Sequence, residues 1–174
     1  MLADIMNPTR KVFDSCLTLG GLAINGAGAA TFRTTNALTL AIDGILTSKA
    51  ALSAQAFSTG HTPQAPKTIN GTAYGTTALY LVQCDASGAV STKQSNIAVA
   101  GIGADGKVGG VQMPAGSDQR AALPEPDSGN AAIGFIKVTT NASTTFTPGT
   151  TALDAAGLTV TYTNLGFMPA NPFQ

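Results

Sequence analysis

The chain contains no tryptophan, a single histidine and a single glutamate, and it is poor in charge of either sign. Nine basic and nine acidic residues make up 10% of its 174 residues, and the formal net charge is zero. An average soluble protein carries about 25% charged residues. A nucleic-acid binder needs rows of cations to neutralise phosphates, and none is present. A small monomer with so few charges is poorly protected against self-association, so much of the surface is expected to be covered by other subunits. No run of about 18 apolar residues occurs, so no membrane-spanning helix is predicted. The cysteines are only Cys16 and Cys84, too few for a disulfide framework; either they form one bridge or they are two buried thiols.

What is present is small. Hydrophobic residues reach 44%, enough for a packed core, but aromatics are 6%, and Ala, Thr and Gly dominate. Small side chains bury little area each. Thr favours strands and Gly favours turns, so short strands with many connections are expected. Around Arg10 and Lys11 the N-terminus imitates a secretory leader, but Asp14, Asn25 and paired glycines interrupt its apolar stretch.

Strand signals sharpen from Ala37. Leu38, Leu40 and Ile42 alternate with smaller residues, Asp43-Gly44 follows, and Ile45, Thr47 and Lys49 continue. Asp-Gly between two such runs predicts a two-residue hairpin, because both turn residues need positive φ. Thr77–Cys84 is a second strand, turned at Asp85-Ala86-Ser87-Gly88 and returned over Ala89–Thr92. Leu79 and Leu81 point one way and Tyr80 and Val82 the other, so both faces read as partly buried. The last two strong strands are Ala132–Thr139 and Leu158–Leu165. Residues 53–76 read as loop, residues 94–130 are Gly/Pro-rich, and Pro124 and Pro126 mark an extended crossing. Residues 1–30 read as a lead-in arm with a short helix around Thr9–Leu19, or as a frayed terminus. The 166–174 tail, with Phe167, Met168 and Phe173, either finds a groove on a neighbour or folds back on its own subunit.

Catalytic chemistry finds little footing. Gly101-Ile102-Gly103-Ala104-Asp105-Gly106 has dinucleotide-loop spacing, yet the Lys107-Val108-Gly109-Gly110 and Pro114 that follow cannot open the helix that the pyrophosphate requires. His61 has no partners at metal-ligand spacing. Cys16 and Cys84 lack the glycines of a nucleophile elbow. Glu125 lies between prolines, and Asp43, Asp85, Asp105 and Asp127 all sit in turn signals. Asn70-Gly71-Thr72 and Asn141-Ala142-Ser143 have glycosylation spacing, which arises often by chance in a Thr-rich chain. The expectation is therefore a protein that is not an enzyme, with no catalytic, metal or cofactor site.

Several passages resemble the small decoration (cement) or head-fibre-type proteins of tailed-bacteriophage capsids. They are Thr31–Asn36 with the Asp-Gly hairpin, Leu79–Val82 with its Asp-Ala-Ser-Gly turn, Leu123–Pro126, Ala132–Val138, Thr144–Thr151 and Ala155–Val160. The resemblance implies an all-β fold, and a homotrimer that sits on an icosahedral shell and staples neighbouring major capsid subunits. With the residue reading it predicts an antiparallel β-sandwich or jelly-roll-like domain over 31–165, an extended N-terminal arm over 1–30 with a short helix, and an extended C-terminal tail over 166–174. Arg10, Lys11 and Phe13 in the arm, and Phe167, Met168 and Phe173 in the tail, are the expected partner contacts. Partners would be the major capsid protein and further copies of the chain, with no nucleic acid and no membrane. The place would be the virion surface after synthesis in the host cytoplasm. A tail-associated or receptor-binding adhesin is the alternative, since trimeric fibres share this composition; a secreted hydrolase is a formal third.

Overall fold

The structure is a computed structural model, and it describes residues 14–102, 106–108, 110–112 and 120–166. The fold is all-β, a curled, largely antiparallel sheet that forms a half-barrel. Its spine is two long strands, β8 (Thr76–Asp85) and β13 (Asn130–Thr140), paired antiparallel with Ile136 opposite Tyr80. Each spine strand shares its outer edge between two neighbours. On β8 these are β9 (Val90–Gln94) and β10 (Ala98–Val99). On β13 they are β14 (Leu158–Asn164) and β1 (Ser15–Cys16). The sheet continues through β4 (Leu38–Ile42) to β5 (Ile45–Lys49) at its edge.

A bulge on β13 permits the change of neighbour. Register slips between Ala132 and Gly134, leaving Ile133 as the extra residue. Before it Ala132 faces Ser15 of β1, and after it Gly134 faces Asn164 of β14. A bulge bends its strand and increases local twist, which also helps the sheet to curl. Gly134 is demanded by the crowding, because a Cβ there would collide with the Thr163 carbonyl and the Leu22 side chain.

The remaining short ladders are β2 (Leu22–Ile24) with β3 (Phe32–Thr34), β6 (Lys67–Ile69) with β7 (Thr72–Tyr74), and β11 (Lys107–Val108) with β12 (Val111–Gln112). The segment from Leu52 to Gln64 runs across the concave side. It bonds to Thr34 and Phe32, then to Thr92 through Ser58, then to Phe146 through Gln64. Beneath it Phe32, Phe57, Tyr80 and Phe146 meet edge to face, with ring centroids 5.0 to 6.0 Å apart. Edge-to-face contacts add about 0.5–1.5 kcal/mol each beyond area burial. In a core otherwise made of Val, Leu, Ile, Ala and the two cysteines, this quartet is the main anchor.

The predicted Asp-Gly hairpin forms between β4 and β5, with Asp43 at φ 50 and Gly44 at φ 78. The same chemistry at Asn70-Gly71 joins β6 to β7, inside a stretch read from sequence as loop. Two expectations are corrected. The described part of the expected Thr9–Leu19 helix, residues 14–19, contains strand β1 and irregular chain, and no helix occurs among the described residues. Nor do residues 14–30 form an arm: Cys16 and Leu22 belong to the core, and β1 is inserted between β13 and β4. Backbone pairing on both sides outweighed the weak local signal of two residues.

Candidate interaction surface

The ladder registers fix which residues share the outward face of the spine. Leu81, Phe135 and Thr163 form one row, Leu79, Lys137 and Thr161 the next, and Thr77, Thr139 and Thr159 a third. The opposite face carries Tyr80, Val82, Ile136 and Val138, all in the core. The Thr77 and Thr139 hydroxyls bond each other at 3.0 Å. Thr159 and Thr161 are exposed, and the face carries hydroxyls and methyls with little charge.

One end of this face is covered. The crossing at residues 121–127 is strapped to the β8–β9 hairpin: Ala122 N donates to Asn96 Oδ1 (3.0 Å) and Lys93 Nζ donates to the Glu125 carbonyl (3.1 Å). Asp127 then locks on. Its N–H donates to Gln83 Oε1 (2.9 Å), Gln83 Nε2 donates to its carboxylate (2.6 Å), and Lys93 forms an ion pair with it at 2.8 Å. Hydrogen bonds from Lys93 and then Gln83 hold the Asp127 carboxyl below its usual range. Leu81 and Gln83, although on the outward face, are buried here.

The other end forms a cleft of about 410 Å3, lined by Thr77, Leu79, Phe135 and Lys137 on the spine, Ala98, Val99, Gly101 and Ile102 beside them, and Arg120 with Ala121 at the strap. No carboxylate is among the described residues that line it. A smaller groove of about 220 Å3 lies at Asp14–Cys16, Ala132, Leu165 and Gly166. The β4–β5 tip is a third feature, with Ile45 and Leu46 more than 60% exposed on an edge strand.

Several titratable groups carry structural tasks. Asp85 accepts from Ser87 Oγ and Ala89 N, and the Ser87 bond leads in lowering its pKa. Asp14 accepts from Asp43 N and Asp154 from Gly28 N, each bracing a turn. His61 Nε2 lies 2.8 Å from Thr92 Oγ1, with its ring edge against Tyr80 and Phe57, and burial lowers its pKa. Tyr80 accepts from Gln64 Nε2 (2.7 Å) and Gln94 Nε2 (3.1 Å), and burial pushes its hydroxyl up to about 12. Gln64 Oε1 is buried without a hydrogen bond. Turning that amide over would let Tyr80 donate to Oε1 and would move the unmet demand to Nε2. Cys16 and Cys84 are free and buried, and burial raises both thiol pKa values.

Among the described residues no group of three His, Cys, Asp or Glu side chains could hold a metal ion. Gly106 leads into strand β11, so no helix follows the dinucleotide-like spacing there; Gly103, Ala104 and Asp105 lie outside the described residues. Asn141 Oδ1 accepts from Ser143 N and Thr144 N, so that triplet is a turn, whereas Asn70 sits exposed at a hairpin tip. Arg10, Lys11, Phe13, Phe167, Met168 and Phe173 lie outside the described residues. The outward cleft was missed in the sequence because strap and spine are far apart along the chain; the alternation Phe135, Lys137, Thr139 was its one local trace. No helix among the described residues is long and apolar enough to cross a membrane. No protein-family model, curated protein or solved structure matches the chain.

Proposed function

We propose that the chain is a structural virion protein that decorates an icosahedral phage capsid and stabilises it by binding across neighbouring major capsid subunits. The observation that carries this reading is the outward face of the spine, with three rows of Thr and apolar side chains around one lysine. Such a face offers hydrogen bonds and small apolar contacts over a broad area, which suits a protein partner. The side chains best equipped for acid–base or nucleophilic work brace turns or fill the core. A trimer would join several weak contacts rigidly, so that the second and third become intramolecular and raise avidity. The exposed Ile45 and Leu46 suit contact with another copy, and Arg10, Lys11, Phe13, Phe167, Met168 and Phe173 remain proposed contacts to neighbours.

The test is the copy number of the chain in purified virions, measured by quantitative mass spectrometry against the major capsid protein. A ratio of about one per few capsid subunits, as expected for a shell coated with avid trimers, supports the reading. A handful per particle would replace it with the tail-associated adhesin, and absence from the particle would overturn both.

A further inference from the structure

We propose that the outward cleft beneath Arg120 is the docking site for an acidic segment of the shell protein, one in which a carboxylate side chain adjoins an apolar one. This deepens the capsid-binding reading and rests on it. The carboxylate meets Lys137 and Arg120, and the apolar neighbour lies on Leu79 and Phe135.

Three observations converge on that chemistry. The first is charge. Among the described residues of the lining, Arg120 and Lys137 are the charged ones, and both are cations. On the same face Lys93 is neutralised by Asp127 at 2.8 Å, whereas Lys137 makes no ion pair with a described residue. The strap thus quenches the cation at its covered end and leaves the one at the open end available. The second is the floor. Phe135 stands two residues before Lys137 on one strand, and Leu79 lies directly opposite Lys137 on the next, so an apolar surface adjoins the ammonium group. A simple anion would leave that surface wet. The third is size and continuation. A volume of about 410 Å3 accommodates one or two side chains. The rows ending in Thr159 and Thr161 extend from it as open sheet along which the rest of a segment can lie. Nucleic acid fits poorly, because two cations beside an apolar floor do not track a phosphate backbone.

One carboxylate meeting exposed cations is a weak contact, screened by salt. The cleft therefore works as one of several contacts in an assembly, and binding should weaken with ionic strength.

The test adds purified protein back to particles lacking it and counts bound copies. The wild-type chain is compared with Lys137→Glu plus Arg120→Glu, with Lys137→Met, and with Arg33→Glu, at the one exposed position of β3, as a charge control. Circular dichroism and melting temperature verify the fold of each. The expected result is a drop of about tenfold or more for the double reversal, a smaller drop for Lys137→Met, and none for Arg33→Glu. Raising salt from about 0.05 to about 0.5 M should weaken wild-type binding more than that of Lys137→Met. If wild type binds and the double reversal binds equally, the cleft assignment falls and the capsid reading survives. If wild type fails to bind, both fall.

Discussion

Gln83 and Asp127 hold each other by two hydrogen bonds, the Asp127 N–H to Gln83 Oε1 at 2.9 Å and Gln83 Nε2 to the Asp127 carboxylate at 2.6 Å. This pair fastens the proline-containing strap to the sheet. Gln83→Ala should lower unfolding stability by about 1–3 kcal/mol, since the Asp127 N–H loses its acceptor. Asp127→Asn should cost less. The Asp127 pKa is depressed, so its contribution is complete above the unfolded value of about 4 and is lost as pH falls through the folded value. Urea melts at about pH 7 and about pH 3 should therefore differ more for wild type than for Asp127→Asn. Equal differences would show that the carboxylate is idle.

His61 gives a second pH response with the same sign and a different window. Burial lowers its pKa, so the native state prefers the neutral ring. Its contribution is complete above about pH 6.5 and declines as pH falls below that, where the unfolded chain binds the proton more readily. The melting temperature should drop between about pH 8 and about pH 5, and His61→Gln should flatten that slope. An unchanged slope would mean that the ring titrates as it does in water.

The thiols should be silent in the native state. Cys16 and Cys84 are buried, Cys16 Sγ donates to the Thr18 carbonyl, and both pKa values are raised. A thiol-reactive reagent at about pH 8 should label neither until denaturant is added, and then both. Rapid native labelling would contradict the burial.

Backbone crowding makes opposite predictions at two small residues. Gly134→Ala places a methyl against the Thr163 carbonyl at the bulge and should cost roughly 2–3 kcal/mol. Ala54, by contrast, has φ 49, a conformation that L residues avoid, while its N–H bonds Asn25 Oδ1 at 3.0 Å. Ala54→Gly should be neutral or stabilise by up to about 1 kcal/mol. Chemical denaturation of the two variants measures both signs.

The strands legible in the sequence were those with a local signature. Asp43-Gly44 announced β4–β5 because positive φ at two successive residues leaves few alternatives, and the alternation in Thr77–Cys84 and Ala132–Thr139 marked the spine. What escaped is held by distant partners. β1 is two residues long and exists because Ala41 and Ala132 flank Ser15. The β6–β7 hairpin carried its own Asn70-Gly71 signal, but the prolines before it masked it. The inward face of β8 was undecidable from alternation alone, since the strap buries Leu81 from outside as the core buries Tyr80 from within. The cleft needed tertiary placement altogether.

The insertion of β1 between β4 and β13 also has a consequence for how the molecule comes to exist. On a ribosome, Ser15 emerges long before Ala132, its parallel partner. Until residue 132 has been made, β1 has only β4 beside it, and the edge that will pair with β13 stays bare. The ladder that closes the sheet is thus deferred until β13 has been made and threads in beside β8 and β1 together. A ribosome that stalls before then leaves a nascent chain with open strand edges, able to pair with other nascent chains.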